Sequence, residues 1–246
     1  MIIVSGMHRS GTSCITGLLE RCGFSLGTSH PIHPIKNVWN PKGYFENMQM
    51  LAINDTILKH AGGRWDQVPP ERNIEITGDR LAKAVSDFGT QFNGEVAKDP
   101  RTCVTIAVWE KHCPPLDRIV FCLRNPLGVA RSLQKRDGTT LEFGANLWYE
   151  YVARFFKTVK KSAVTIVDYD NLPVNFDFEM TNLLAALGRP LSAGQIRERA
   201  GDFFETKLSH TDRDDPQFAA LPDHVRLTYE AIRKRTYAGR QAGKNA

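Results

Sequence analysis

The segment Ser5-Gly6-Met7-His8-Arg9-Ser10-Gly11-Thr12-Ser13 decides how the rest of the chain is read. Before it, Met1 to Ser5 is a short apolar run of the kind that forms a buried strand. After it, Ile15, Leu18 and Leu19 recur at helical spacing until Gly23 stops the pattern. Two glycines five residues apart let the backbone curl so that successive N–H groups point inward, and the following helix adds the positive end of its dipole. Such a loop, spanning 5–13, cradles a phosphate-like oxyanion and offers it His8, Arg9, Ser10, Gly11, Thr12 and Ser13. The spacing is that of the nucleotide-binding G-x-x-x-x-G-K-[ST] motif, but Thr12 fills the lysine slot and the cation sits inside the loop at Arg9.

Outward from this loop, strand candidates at 95–98, 118–123 and 163–167 alternate with helical patterns at 48–60, 79–92, 102–112, 126–136 and 141–161. The alternation implies an α/β protein with a parallel sheet wrapped on both faces, whose ligand lies at the carboxyl ends of the strands. Residues 24–47, rich in Pro, Gly, His and Asn, follow neither periodicity and read as an irregular functional loop. Gly188 and Pro190 interrupt the pattern, and a last helix is expected near 221–237 within a C-terminal helical segment, 190–246. No repeat or linker divides the chain, so residues 1–246 read as one domain.

The 246 residues carry a net charge of +5, with 41% hydrophobic and 24% charged residues, an ordinary globular composition. The excess is local. From Arg226 onward there are six basic residues against Glu230 alone, and the preceding 225 residues balance at 26 of each sign. A basic C-terminal helix of this kind is usually a solvated face, so nucleic acid is not expected as a partner. The longest apolar runs, such as Ile119 to Leu123, are too short to span a bilayer, and no leader pattern opens the sequence. Five cysteines without a C-x-x-C pair argue against a disulfide framework or zinc knuckle. A cytoplasmic protein is the expectation; its oligomeric state is not legible.

A second anion site follows from Arg124-Asn125-Pro126, where a strand ends and a cap with a first-turn proline opens a helix. Ser132 lies eight residues after Arg124, so that a charged fork and a hydroxyl converge on one phosphate. Further on, an apolar strand ends in Asp168-Tyr169-Asp170-Asn171. Asp168 reads either as a magnesium-binding aspartate of an ATPase or, preferably, as a strand end capping the next helix.

Arg9-Ser10-Gly11-Thr12 resembles the phosphosulfate loop of sulfotransferases that use 3′-phosphoadenosine 5′-phosphosulfate (PAPS), and Gly-Met-His-Arg-Ser-Gly-Thr-Ser is similar to a bacterial group of them. Arg124 to Ser132 resembles that family's 3′-phosphate grip, and Val164 to Leu172 its strand followed by Tyr-Glu-Asp-Leu. The resemblance covers Met1 to about Leu187 in ordered motifs and is loose beyond. It implies a P-loop NTPase-like three-layer fold with a central parallel sheet, and sulfonate transfer to a hydroxyl of a glycan or small-molecule acceptor without a metal. Asn40-Pro41-Lys42-Gly43-Tyr44-Phe45-Glu46-Asn47 resembles the bacterial group's Asn-Pro-Arg/Lys-Gly-aromatic-aromatic-Glu segment, which makes Glu46, shielded by two aromatics, the expected general base. Lys98-Asp99-Pro100-Arg101 offers a lysine for the sulfonate or bridging oxygen and a reserve base in Asp99; the histidine that the cytosolic branch places nearby is missing.

His8, His30 and His33 lack a partner cluster at ligand spacing and read as loop or acceptor-pocket residues rather than metal ligands. Trp39, Tyr44, Phe45 and Trp65 read as a pocket wall or as core. Arg213 is a candidate third contact to the 3′-phosphate. The rival readings are a small-molecule kinase using ATP and magnesium and a nucleotide-binding module without a base.

Overall fold

The computed structural model describes residues 1–113, 116, 118–204, 215–237 and 239. Its frame is four parallel strands, β1 (Ile2–Ser5), β2 (Val96–Lys98), β3 (Arg118–Leu123) and β4 (Ala163–Asp168), in the order β2-β1-β3-β4. After β1 the chain first adds a strand on one side of it and then one on the other. β1 is therefore the switch point, where a crevice opens beyond the strand ends. Register brings those ends level: Val4 pairs with Lys98, Ser5 with Phe121 and Leu123 with Asp168.

The strands are apolar throughout because both faces are covered. On β3, Ile119, Phe121 and Leu123 enter one core with Ile3, Ala97 and Ile166, while Val120 and Cys122 enter the other with Ile2, Val4, Val96 and Val167. The first core is closed by α2 (Met48–His60), α3 (Glu71–Arg80), α4 (Ala82–Gln91), α5 (Thr102–His112), α6 (Pro126–Asp137) and α7 (Leu141–Thr158). The second is closed by α1 (Thr12–Arg21), α8 (Leu172–Ala186) and α9 (Ala193–Ala200). After the short α10 (Pro216–Ala219), α11 (Asp223–Arg233) returns to the first face through Val225, Tyr229 and Ile232. The three layers match the expected P-loop-like α/β architecture.

Several boundaries differ from the sequence reading. The helix expected at 79–92 is two helices, α3 and α4, joined at Leu81, which leaves helical geometry with φ −99° and ψ 10°. Most of α3 gave no periodic signal because it is largely polar and, of its inward residues Ile74, Thr77 and Gly78, only Ile74 is a large apolar one, Gly78 lying against Val108. The α7 helix stops at Thr158, since Val159 is extended. The α9 helix falls within the expected helical segment 190–246 but was not placed individually; a capping box between Ser192 and Gln195 starts it. The final helix spans 223–233 rather than 221–237.

Among the described residues no helix is long and apolar enough to cross a membrane. The five cysteines are free thiols.

Phe121, fully buried at the middle of the first core, has ring centroids of Phe155 and Phe156 at 4.5 and 4.9 Å. Phe121→Ala should cost about 3–5 kcal/mol, read as a lower denaturant midpoint at an unchanged slope.

Candidate functional site

The strand ends open into a cleft whose walls include Arg9, Gly11 and Thr12 of the loop, Trp39, Tyr44 and Glu46 of the 24–47 segment, Lys98 at the end of β2, and Arg124 after β3. The anion loop takes the curled form that its glycines allow. Gly6 and Gly11 have φ of 144° and 85°, and an added Cβ at Gly11 would lie 2.1 Å from the Tyr169 ring. Gly11 is also the N-cap of α1 and supplies no side-chain acceptor, so the first amides of that helix stay available to an anion. Arg9 adopts φ 70°, a left-handed conformation that costs a side-chain-bearing residue about 1–3 kcal/mol and tends to occur at functional sites. Ser10 is buried with its Oγ unpartnered.

Arg9 reaches across the cleft. Its Nε donates to Ser132 Oγ at 2.8 Å and its Nη2 to the Trp39 carbonyl at 3.1 Å. Burial, with Arg136 and Arg124 nearby, lowers its pKa to about 10, so it remains a cation at neutral pH. Arg124 Nη1 donates to the Arg9 carbonyl at 2.7 Å, and its guanidinium lies 5.3 Å from the Tyr169 ring centroid. Asn125 caps α6 as expected, its Oδ1 accepting from the Leu127 amide at 2.9 Å, with Pro126 in the first turn. The strand ends carrying Arg9 and Arg124 are thus joined by a hydrogen bond, and the Ser132 hydroxyl is engaged by Arg9 instead of lining the cleft.

On the opposite wall a buried lysine gathers the long loop. Lys98, 1% exposed, donates to Glu46 Oε1 at 2.9 Å, the Tyr44 carbonyl at 2.8 Å and Ser13 Oγ at 3.1 Å. An ammonium has three N–H donors, and all three are used. Ser13 Oγ donates in turn to the Tyr44 carbonyl at 2.9 Å and accepts from Asn40 Nδ2 at 3.0 Å. Phe45, between the two loop residues that bind Lys98, has φ 56°. That left-handed residue turns the Tyr44 carbonyl and the Glu46 carboxylate toward the same ammonium.

Asp99, expected as the reserve base, is not brought to the cleft. Its Oδ1 accepts from the Arg101 amide at 3.1 Å and Nη1 at 2.9 Å, and its Oδ2 from Asn54 Nδ2 at 3.0 Å. It braces the loop behind Lys98. Asp168 occupies the N-cap position of the short turn Tyr169–Asn171, but its side chain makes no cap hydrogen bond there and lies 3.8 Å from Arg233 Nε, because α11 brings a cation to the end of β4. Arg213 lies outside the described residues.

His8 and Arg136 line the cleft and both lie against Trp65, at 4.8 and 5.2 Å from its ring centroid. Burial holds the His8 pKa well below its usual value, aided by Arg101, Arg136, Lys98 and Arg9. Among the described residues no group of three His, Cys, Asp or Glu side chains is placed to hold a metal ion. Sequence reading missed Arg136, Phe203 and Phe204 as cleft residues. Arg136 lies one helical turn beyond Ser132, a spacing that could have flagged it; nothing local marks the two phenylalanines.

Parallel sheet, glycine-bounded loop and helix start define a P-loop-like α/β fold. No protein-family model matches the chain, and no curated protein sequence does. Solved structures do. One is the sulfotransferase domain from the curacin biosynthetic pathway, at 12% identity over 94% of this chain and 96% of that one, with a TM-score of 0.51. Another is sulfotransferase STF9 from Mycobacterium avium, at 14% identity over 96% of this chain and 76% of that one, with a TM-score of 0.51. At these identities the likeness is one of fold.

The neutral His8 makes stability depend on pH. Unfolded histidine titrates near about 6.5, so below that pH the unfolded chain binds a proton that the folded chain refuses. This contribution is complete above that pH and is lost as the pH falls. His8→Gln should lose less stability than the parent between about pH 6.5 and 5, measured by denaturant midpoints; equal losses would contradict a buried neutral imidazole.

Proposed function

We propose that the protein is a sulfotransferase that moves a sulfonate from 3′-phosphoadenosine 5′-phosphosulfate to a hydroxyl of a glycan or small-molecule acceptor. The supporting observation is the joined pair of cationic strand ends: Arg9 in a loop with open helix amides, and Arg124 bonded to the Arg9 carbonyl. Such a surface suits a compact anion with two charged ends. In this reading the anion loop and Arg9 hold the 5′-phosphosulfate, and Arg124 with Ser132 holds the 3′-phosphate. Ser132 meets its phosphate when Arg9 turns from it to the donor.

Transfer requires the acceptor oxygen to attack sulfur in line as the sulfur–oxygen bond to the 5′-phosphate breaks. Glu46 takes the hydroxyl proton. Lys98 holds that carboxylate in place and brings positive charge to the side on which the sulfonate passes. Arg9 and the loop amides stabilise charge gathering on the departing phosphate, the role that fixed donors and cations play in phosphoryl transfer. With cations in these positions the chemistry needs no metal. Trp39 and Tyr44, at the mouth beside Glu46, form the acceptor wall. The acceptor is a soluble hydroxyl compound rather than nucleic acid or a membrane. Free thiols fit a cytoplasmic setting.

A kinase using ATP and magnesium is the competing reading. Against it stand the absence of a lysine before Ser13 and the pairing of Asp168, the candidate magnesium ligand, with Arg233. Calorimetry with adenosine 3′,5′-bisphosphate and with ATP plus magnesium should show micromolar binding of the bisphosphate alone; the reverse preference refutes the proposal. Arg124→Ala should weaken the bisphosphate by about 2–5 kcal/mol, as when a buried charge loses its partner. Glu46→Gln should bind the bisphosphate as the parent does while kcat falls about 10²–10⁴-fold; unchanged turnover would remove Glu46 as the base.

A further inference from the structure

The segment after β4 has no part in the proposal above, yet it surrounds the arginine assigned to the 3′-phosphate. Because Leu123 pairs with Asp168, the residues that follow each strand emerge side by side. Tyr169 offers its ring to one face of the Arg124 guanidinium, 5.3 Å from its centroid. Asp170, on the next residue, turns its carboxylate to the edge. Its Oδ1 is 3.9 Å from Arg124 Nε, and its Oδ2 accepts from the Asn125 amide at 2.5 Å. Asp170 is buried, with 2% of its side chain exposed, and Arg124 is largely covered at 11%.

We propose that Asp170 is the positioning residue for recognition of the donor's 3′-phosphate, acting through Arg124. This rests on the sulfotransferase reading, which assigns Arg124 to that phosphate. An arginine grips a phosphate through a planar fork, and the long side chain loses rotamer freedom when it does so. Here the fork is biased before any ligand arrives: Tyr169 covers a face, the Asp170 carboxylate faces the Nε edge as an ion pair at 3.9 Å without a hydrogen bond, and Nη1 is bonded to the Arg9 carbonyl. None of these contacts uses Nη2. The same carboxylate fixes the Asn125 amide and with it the start of α6, which carries Ser132. One side chain therefore orients both halves of the grip.

The charge of Asp170 has an opposite consequence. It offsets the positive charge of Arg124 and weakens attraction for any phosphate. A residue that only tuned charge would, once neutralised, let every nucleotide bind more tightly. A positioning residue would, once neutralised, lose the preference for the ligand that carries a 3′-phosphate.

The test is the ratio of two affinities measured by calorimetry on the full chain, for adenosine 3′,5′-bisphosphate and for AMP, which lacks the 3′-phosphate. Asp170→Asn should reduce the bisphosphate preference about tenfold, a change worth about 1.4 kcal/mol. Arg124→Ala should remove most of the preference, and adding Asp170→Asn to it should change the ratio much less than it does in the parent, because coupled residues are not additive. Should the asparagine variant fail to fold, Asp170→Ser removes the charge that faces Arg124, and its ratio should fall likewise. A parental ratio in either folded variant, or an equal change for both ligands, overturns the role of Asp170. A parent protein with no preference for the bisphosphate instead refutes the 3′-phosphate assignment of Arg124.

Discussion

Arg124 donates a hydrogen bond of 2.7 Å to the carbonyl of Arg9, and this contact ties the end of β3 to the anion loop after β1. Without it the two cations would stand at neighbouring strand ends with no fixed separation. With it, a guanidinium holds the backbone of the residue whose own guanidinium spans the cleft. Like charges crowd here. Burial is the first cause of the lowered pKa of Arg9, and Arg136 and Arg124 are the next. The strained φ of Arg9 belongs to the same economy, a local cost upheld by the sheet around it.

The opposite wall is organised by the buried Lys98–Glu46 pair. Ion pairs buried in this way lose much of their attraction to desolvation and add little to stability on their own. This pair gains what it needs from its surroundings: the ammonium satisfies all its donors and joins three segments at one atom. The 24–47 loop is held by Lys98 at Tyr44 and Glu46, by Ser13 at Asn40 and Tyr44, and by Arg9 at Trp39. A long irregular segment is thereby made into a wall of the cleft by residues of the anion loop and of β2. Behind it, Asp99 and Asn54 brace the strand end from the core side.

The alternation of strands and helices was legible because a parallel sheet covered on both faces needs continuous apolar strands, and each occurs within a residue or two of where the pattern placed it. The curl of the loop after β1 was legible because curled backbone needs glycine, and Gly6 and Gly11 have the positive φ that the spacing required. Asn125-Pro126 announced a helix start through local chemistry. What escaped was non-local. The α3 helix hides its period behind polar residues and a glycine pressed on Val108, and α9 rests on a cap rather than a stripe. Asp99 and Lys98 are adjacent in sequence, and only the turn after β2 sends one to Asn54 and the other to Glu46.

The sequence by itself determined the fold class, the glycine-bounded curl after β1 and which residues bring cations to the strand ends, because these depend on backbone permission, periodicity and residue type over a few neighbours. The tertiary structure alone decided which polar atoms are already engaged. It gave Ser132 to Arg9, Asp168 to Arg233 and Asp170 to the edge of Arg124, pairings separated by 123, 65 and 46 residues. The reason is geometric. A parallel sheet collects residues from distant segments at one edge, and whether a carboxylate there serves as a base, a brace or a positioning group depends on which side chains the crossovers deliver beside it.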